Sequence, residues 1–266
     1  MKSAMLKILG VVLFAFLPLP IVVVAVSSFV KNGYFTMPLA PFSLRWYEEF
    51  LRDDQWTWLL LTSAGLAVVV ALVSTLLALL AALVLNEKSF KGSGLVENLV
   101  MLPLVFPNAA LGVAFLGMAG LLGISGSYLG IVLAHCIITL PFAYRPILNS
   151  LRKIDGSMSE AAMSLGSTPG RVLWTVILPL IRPGLITAFI FCFIISFDEA
   201  TVTIFLVGPE VTTLPIRILT EIQERGSPVI AAISTFLVLI TIAIVIFLER
   251  TVGLELFSAP EKKSRP

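Results

Sequence analysis

The 266-residue sequence predicts an all-α, polytopic membrane protein with six transmembrane helices in a single domain, residues 1–266. Three observations carry that prediction. Hydrophobic residues make up 58% of the chain and charged residues 13%, which leaves too little polar surface to cover a soluble domain of this length. The apolar residues gather into runs of about twenty or more, the length a helix rising about 1.5 Å per residue needs to cross a ~30 Å hydrocarbon layer. Lys and Arg concentrate in alternate connections between those runs, as they do in membrane proteins of fixed orientation. The same composition excludes other classes. No Cys/His cluster, Gly-rich phosphate loop or nucleophile elbow occurs, so no metal, nucleotide or acyl-transfer site is expected, and a net charge of +2 points to no nucleic acid. Cys136 and Cys192 both lie inside apolar runs and read as free, small packing residues.

The first predicted span covers residues 8–30, after Lys2 and Lys7. Ala25 and Ser27 form a small-x-small pattern, but the apolar run is too long for a cleaved signal peptide and contains Pro18 and Pro20. Residues 31–55 read as an external loop with an amphipathic segment at 43–52. Its aromatics Phe42, Trp46 and Tyr47, with Trp56 and Trp58 beyond, are expected at headgroup depth. The second span is 58–85, followed by a short basic turn at 86–94 with Lys88 and Lys91. The third, 95–122, carries Pro103 and Pro107 and should be kinked, while Gly112, Gly117 and Gly120 should let another helix approach closely. A turn at 123–127 leads to the fourth span, 128–144. The fifth, 184–207, ends at Gly208-Pro209. A polar loop runs to Arg225, and Ser227-Pro228 opens the sixth span, 228–248, as a cap followed by proline at the first helical position.

An even number of spans places both termini on one side. Lys2, Lys7, Lys88, Lys91, Arg145, Arg152, Lys153, Arg171, Arg182, Arg250, Lys262, Lys263 and Arg265 fall on that side, thirteen of the 18 basic residues. Lys31, Arg45, Arg52, Arg217 and Arg225 fall on the other. The positive-inside rule makes the terminal side cytoplasmic.

The long polar interruption of the C-terminal two-thirds is SMSEAAMSLGSTPGRVLWTVILPLIRP, residues 157–183. Ser157 and Glu160 fit a capping box. Ala161, Ala162, Met163 and Leu165 favour a helix, Gly166 suits the left-handed residue that ends one, and Thr168-Pro169 restarts one. Two short helices joined by a glycine turn, on the cytoplasmic side between two spans, form a place to dock a partner.

That stretch resembles the EAA loop of permease subunits of binding-protein-dependent ABC importers. Glu160-Ala161-Ala162, three residues, Gly166, nine residues, then an aliphatic residue, one more and Leu178-Pro179 reproduce its spacing, with Val176 where the family usually has isoleucine. The resemblance implies a type I importer permease fold and a cytoplasmic coupling loop, residues 155–182. Glu160, Ala161, Ala162, Gly166 and Arg171 are the positions matched for contact with an ATPase dimer. For Glu160 the residues alone leave open whether it caps a helix or touches the partner. Ser196-Phe197-Asp198-Glu199, Phe205 to Pro209 and Thr212-Thr213-Leu214-Pro215 extend the resemblance to the polyamine, opine and phosphonate uptake group, in particular its spermidine/putrescine C type, as do Trp46-Tyr47 and Pro103-x-x-x-Pro107. What the resemblance implies is a non-catalytic subunit in the prokaryotic cytoplasmic membrane. Its partners would be an ABC ATPase holding ATP and Mg, a second and related permease chain, a substrate-binding protein and the bilayer. The chain itself would bind no cofactor.

Three ionisable residues stand out inside the predicted spans: His135, Asp198 and Glu199. Charge in a bilayer is costly, so such groups face a water-filled cavity or a partner. Asp198 lies some fifteen residues along the fifth span, roughly 22 Å into a ~30 Å layer, and only one of the adjacent acids can point at a lumen. The pair reads either as an acidic lining for a cationic substrate or as a structural ion pair or hydrogen bond to a neighbouring subunit. His135 reads as a hydrogen-bonded packing residue. Beside the importer of polyamines stand two other readings. One is an importer of another solute (γ-aminobutyrate, an opine, an aminoalkylphosphonate or ferric iron). The other is a self-contained transporter or channel, which would show inverted repeats or interrupted helices with midplane polar residues.

Overall fold

A computed structural model describes residues 2–32, 41–86, 92–224 and 226–252. The basic turn with Lys88 and Lys91, Arg225, and Lys262, Lys263 and Arg265 lie outside the described residues. Among the described residues the chain is helical, with two isolated antiparallel bridges, Val30 with Phe42 and Gly208 with Val211. The helices are α1 (Lys2–Phe16), α2 (Leu19–Ser28), α3 (Arg45–Arg52), α4 (Asp54–Asn86), α5 (Ser93–Met101), α6 (Asn108–Leu122), α7 (Tyr128–Leu151), α8 (Gly156–Ser164), α9 (Pro169–Val172), α10 (Leu178–Leu180), α11 (Arg182–Asp198), α12 (Leu214–Glu224) and α13 (Val229–Val252).

Among the described residues four stretches are long and apolar enough to cross a membrane: Met5–Ser28, Asp54–Asn86, Tyr128–Leu151 and Val229–Phe247. Two bent pairs, Ser93–Leu104 with Asn108–Leu122 and Pro169–Leu180 with Arg182–Asp198, bring the number to the expected six when each pair counts as one span. The predicted kink of the third span is a 105° break. Pro107 stands in extended geometry (ψ 134°) ahead of α6, and neither Pro103 nor Pro107 can donate to a helix ladder. The fourth helix runs on to Leu151, past the expected end at 144, with Pro141 and Pro146 inside it. The fifth stops at Asp198, short of the expected 207, and the polar loop expected after it contains α12. Pro215 in the first turn of α12, and Leu214, Ile218 and Ile222 at four-residue spacing, were its sequence signal.

The chain forms two compact units. The first takes residues 1–60 and 217–243. Here the loop after α2 is closed by the Ser43 N–H donating to the Phe29 carbonyl (2.7 Å) and by the Trp46 indole N–H donating to the Val30 carbonyl (2.9 Å). Ser28 Oγ donates to the Ala25 carbonyl, so the Tyr47 hydroxyl, 2.7 Å away, donates to Ser28. α3 buries Trp46 and Phe50, the latter ring 5.7 Å from that of Phe236, and exposes the Arg45–Glu49 and Arg52–Glu48 pairs. The aromatics expected at headgroup depth therefore divide. Trp46 and Trp56 are buried in protein, where they satisfy the loop and stack under the Arg217 guanidinium, whereas Phe42 and Trp58 are exposed.

The second unit, residues 61–216 and 244–266, is built on α7. More than half of the α7 residues are buried. α4 offers it the small buried residues Ala67, Ala71, Ser74, Ala78 and Ala82, which allow close approach without a large interdigitated side chain. Thr139 Oγ1 donates to the His135 carbonyl, so Ser74 Oγ, 2.8 Å from it, donates to Thr139. α11 offers Gly184, Ala188, Cys192 and Ser196 at four-residue spacing, all buried. A Cβ on Gly184 would collide with the Ser150 side chain and stand 2.9 Å from the Pro146 carbonyl oxygen. Both cysteines are buried and free, as expected. Of the three glycines expected to admit a neighbour, Gly112 does so, against the Phe205 ring. Nothing lies within 4 Å of a Cβ at Gly117, and only Ser125 Oγ, at 3.8 Å, near one at Gly120.

Candidate functional site

Two regions hold the residues that the sequence singles out, both in the second unit. The first is the connection between α7 and α11. α8 begins at Gly156, and its cap is Asp155, whose carboxylate accepts the Ser157 backbone N–H at 3.0 Å. The expected capping box of Ser157 with Glu160 is thus not formed. The helix starts earlier because an aspartate just upstream competes for the same amides and wins with a charged acceptor. That bond, with a further one from the Ser157 hydroxyl, holds the Asp155 carboxyl below the usual range. Glu160 is left past the first turn, exposed, and its carboxylate has no partner among the described residues.

α8 ends in a Schellman motif. The Gly166 N–H donates to the Met163 carbonyl (2.9 Å), the Ser167 N–H donates to the Ala162 carbonyl (3.1 Å), and Gly166 takes φ +86°. Thr168 caps α9 by accepting the Arg171 N–H, and Pro169 holds the first position, both as expected. A π turn, Leu173–Ile177, continues α9 into α10. Glu160, Ala161, Gly166 and Arg171 are exposed and Ala162 half-buried. Leu165 is 88% exposed and Trp174 73%. A short helical pair therefore presents a carboxylate and a guanidinium that have no ion-pair partner among the described residues, with bare apolar side chains, which suits it to contact with another protein.

The second region is the end of α11. The helix stops at Asp198 because Glu199 turns to extended backbone (φ −73°, ψ 113°) and its carboxylate accepts the Val202 N–H at 2.8 Å. Thr203 Oγ1 donates to the Glu199 carbonyl at 2.8 Å. The two adjacent acids are thereby separated. Glu199 is buried, its carboxylate caps the turn, and Asp198 is exposed with no partner among the described residues. Asp198 stands at the helix terminus, a correction to the expectation that it lies inside a longer span. His135 is buried on α7, with Nδ1 2.9 Å from Ser196 Oγ and Nε2 2.8 Å from Thr203 Oγ1. Because the Thr203 proton is committed to the Glu199 carbonyl, Nε2–H donates to Thr203 and Nδ1 accepts from Ser196. His135 is the hydrogen-bonded packing residue anticipated. Of its partners, Ser196 entered the sequence reading only within the stretch Ser196 to Glu199, and Thr203 carried no signal there. Glu97 lies on α5 and drew no mention in the sequence reading, whereas Arg145, expected just beyond the fourth span, lies within α7. Among the described residues no group of acidic, His or Cys side chains could hold a metal ion.

Comparison with known proteins places this geometry. Residues 74–253 match the family described as binding-protein-dependent transport system inner membrane component. The chain is 28% identical over 235 residues to the spermidine/putrescine transport system permease protein PotC of Haemophilus influenzae, covering 88% of this chain and 91% of that protein. It is 33% identical over 231 residues to the putrescine transport system permease protein PotI of Escherichia coli, covering 84% and 82%. A chain of a bacterial ABC transporter involved in the import of the acidic polysaccharide alginate superposes with a TM-score of 0.72 over 94% of this chain and 97% of its own. At 16% identity that likeness speaks to the fold, the type I importer permease fold. With the family profile matched over more than half its length, the chain belongs to the binding-protein-dependent transport system inner membrane components, the non-catalytic, multi-pass permease subunits of ABC importers.

Proposed function

We propose that this permease forms half of the path by which an ATP-driven importer moves polyamines, spermidine and putrescine, with Asp198 lining that path. The observation that carries the reading is the division of the acidic pair: the Glu199 carboxylate accepts the Val202 amide, and Asp198 is left exposed, with no partner among the described residues. A bare carboxylate attracts a cation, and the relatives named for spermidine and putrescine are similar over most of the chain. The loop of residues 155–182 is read as the coupling element, with Glu160, Ala161, Ala162, Gly166 and Arg171 set against a separate ATPase dimer that holds ATP and Mg. Glu160 and Arg171 are exposed and have no ion-pair partner among the described residues, which supports this. The thirteen-to-five division of basic residues supports cytoplasmic termini and a cytoplasmic loop. A second, related permease chain would complete the path, and a substrate-binding protein would deliver to it.

The test is ATPase stimulation of the assembled transporter, with its binding protein, by putrescine, spermidine, γ-aminobutyrate, an opine, 2-aminoethylphosphonate and ferric iron. Ferric iron belongs in the panel because the ferric transport system permease protein FbpB of Actinobacillus pleuropneumoniae is 26% identical over 78% of this chain, although the match spans only 30% of that protein. Stimulation by the polyamines alone is expected. Stimulation by a zwitterion or by iron alone would keep the importer and remove the polyamine reading.

A further inference from the structure

The His135 ring joins three pieces of chain at once. Its own helix, α7, is the centre of the second unit; Ser196 lies on the last turn of α11; and Thr203 opens the 3₁₀ turn beyond the break. Both nitrogens are used and both partner hydroxyls are buried, as is the ring itself. The Thr203 hydroxyl passes the link on to the Glu199 carbonyl, and the Glu199 carboxylate closes the turn on the Val202 amide. Ser196 and Thr203 thus bracket Asp198 and Glu199, the two residues where the helix ends and the chain changes direction.

We propose that His135 is a positioning residue for the substrate path. From α7 it holds the α11 break in the one geometry that buries Glu199 and presents Asp198. The bracket fixes both sides of the break relative to α7, so the carboxylate moves with α7 rather than with a free helix end. A chain of hydrogen bonds in which every donor has one acceptor specifies a single arrangement more sharply than apolar packing of the same volume. The inference rests on reading Asp198 as a path-lining group, but the bracket can be tested without substrate.

The reporter is Val202→Cys in a chain carrying Cys136→Ala and Cys192→Ala, labelled with a small water-soluble maleimide in the assembled, reconstituted transporter. Val202 is fully buried and Asp198 exposed, so Val202→Cys should react at least tenfold more slowly than Asp198→Cys. Adding His135→Ala should raise the Val202→Cys rate at least tenfold, and a rate unchanged within twofold would overturn the bracket. If His135→Ala does not assemble, Thr203→Val removes one hydroxyl at nearly constant shape and must produce the same rise. Uptake separates positioning from packing. His135→Gln, whose amide can still donate near the Nε2 position, should retain at least half of wild-type uptake, while His135→Phe, which keeps volume and loses both bonds, should lose at least fivefold. Rescue by Phe and not by Gln would overturn the proposal. Labelling needs no substrate, so an unresponsive reporter sinks the bracket whatever Asp198 does, and an inert Asp198→Asn sinks the pathway reading whatever the reporter does.

Discussion

Gly166→Ala tests the coupling loop at the point where its geometry is most demanding. Gly166 takes φ +86°, and no atom lies within 4 Å of where a Cβ would stand, so the penalty is backbone strain without any clash. An L-residue in the left-handed region costs about 1–2 kcal/mol, a factor of roughly 5–30 in the population of the native turn. That strain falls on the Schellman bonds from Gly166 to Met163 and from Ser167 to Ala162, which close the end of α8 ahead of α9. Native-state hydrogen exchange of the reconstituted transporter should show the Ser167 amide exchanging about 5–30-fold faster in Gly166→Ala, and less so in Gly166→Asn, because Asn tolerates this conformation better than other L-residues. Gly170→Ala is the control. Gly170 lies in the first turn of α9, is not among the glycines with positive φ, and has equal free space, so exchange should be unchanged or slower. If Gly166→Ala exchanged like the parent, or Gly170→Ala accelerated exchange as much, the backbone argument would be refuted. With the backbone argument upheld, substrate-stimulated ATPase should fall in the order parent, Asn, Ala.

Four further outcomes are expected. The Asp155 cap works through its charged form and its carboxyl titrates below the usual range, so its contribution is complete above the unfolded pKa of about 3.9 and is lost as pH falls through the folded value; protection of the α8 amides should be flat from about pH 7 to 5, drop below about pH 4, and stay flat in Asp155→Asn. Asp198→Asn should lower polyamine uptake about fivefold or more, since a charge pair at 4 Å is worth about 1 kcal/mol even at the dielectric of bulk water, and uptake equal to the parent would remove the electrostatic reading. Glu199→Ala instead strands the buried Val202 N–H at about 1–3 kcal/mol, and should lower thermal stability with no preference among substrates; a selective loss of cations there would reverse the two assignments. Arg171→Glu should weaken co-purification with the ATPase while membrane insertion stays intact, and undiminished co-purification would remove Arg171 from the interface.

Much of this protein was legible in residue order because its determinants are local. Helix length, the prolines at 103 and 107, Thr168-Pro169 and Gly166 each act within a few residues of themselves, so spans, breaks and the two-helix loop could be read directly. Local reading failed where two local signals competed. Asp155 and Ser157 both suit a cap, and the charged acceptor upstream won, which turned Glu160 from a capping residue into a bare carboxylate. It failed again where hydropathy hid a turn. The apolar run past Asp198 looks continuous, yet Glu199 breaks it with a side-chain-to-backbone bond, and the Leu214–Glu224 helix lies in what reads as polar loop.

By itself, the sequence determined class, family and the alternation of apolar and basic segments, since bilayer thickness and the desolvation of charge act on single segments whatever their neighbours. Only the tertiary structure decided which of two adjacent acids is exposed, and that His135 on α7 holds the end of α11. The first shows in the burial of Glu199 and its bond to the Val202 amide; the second rests on hydrogen bonds between residues 61 and 68 positions apart, and no local propensity encodes which buried hydroxyl will meet which ring nitrogen.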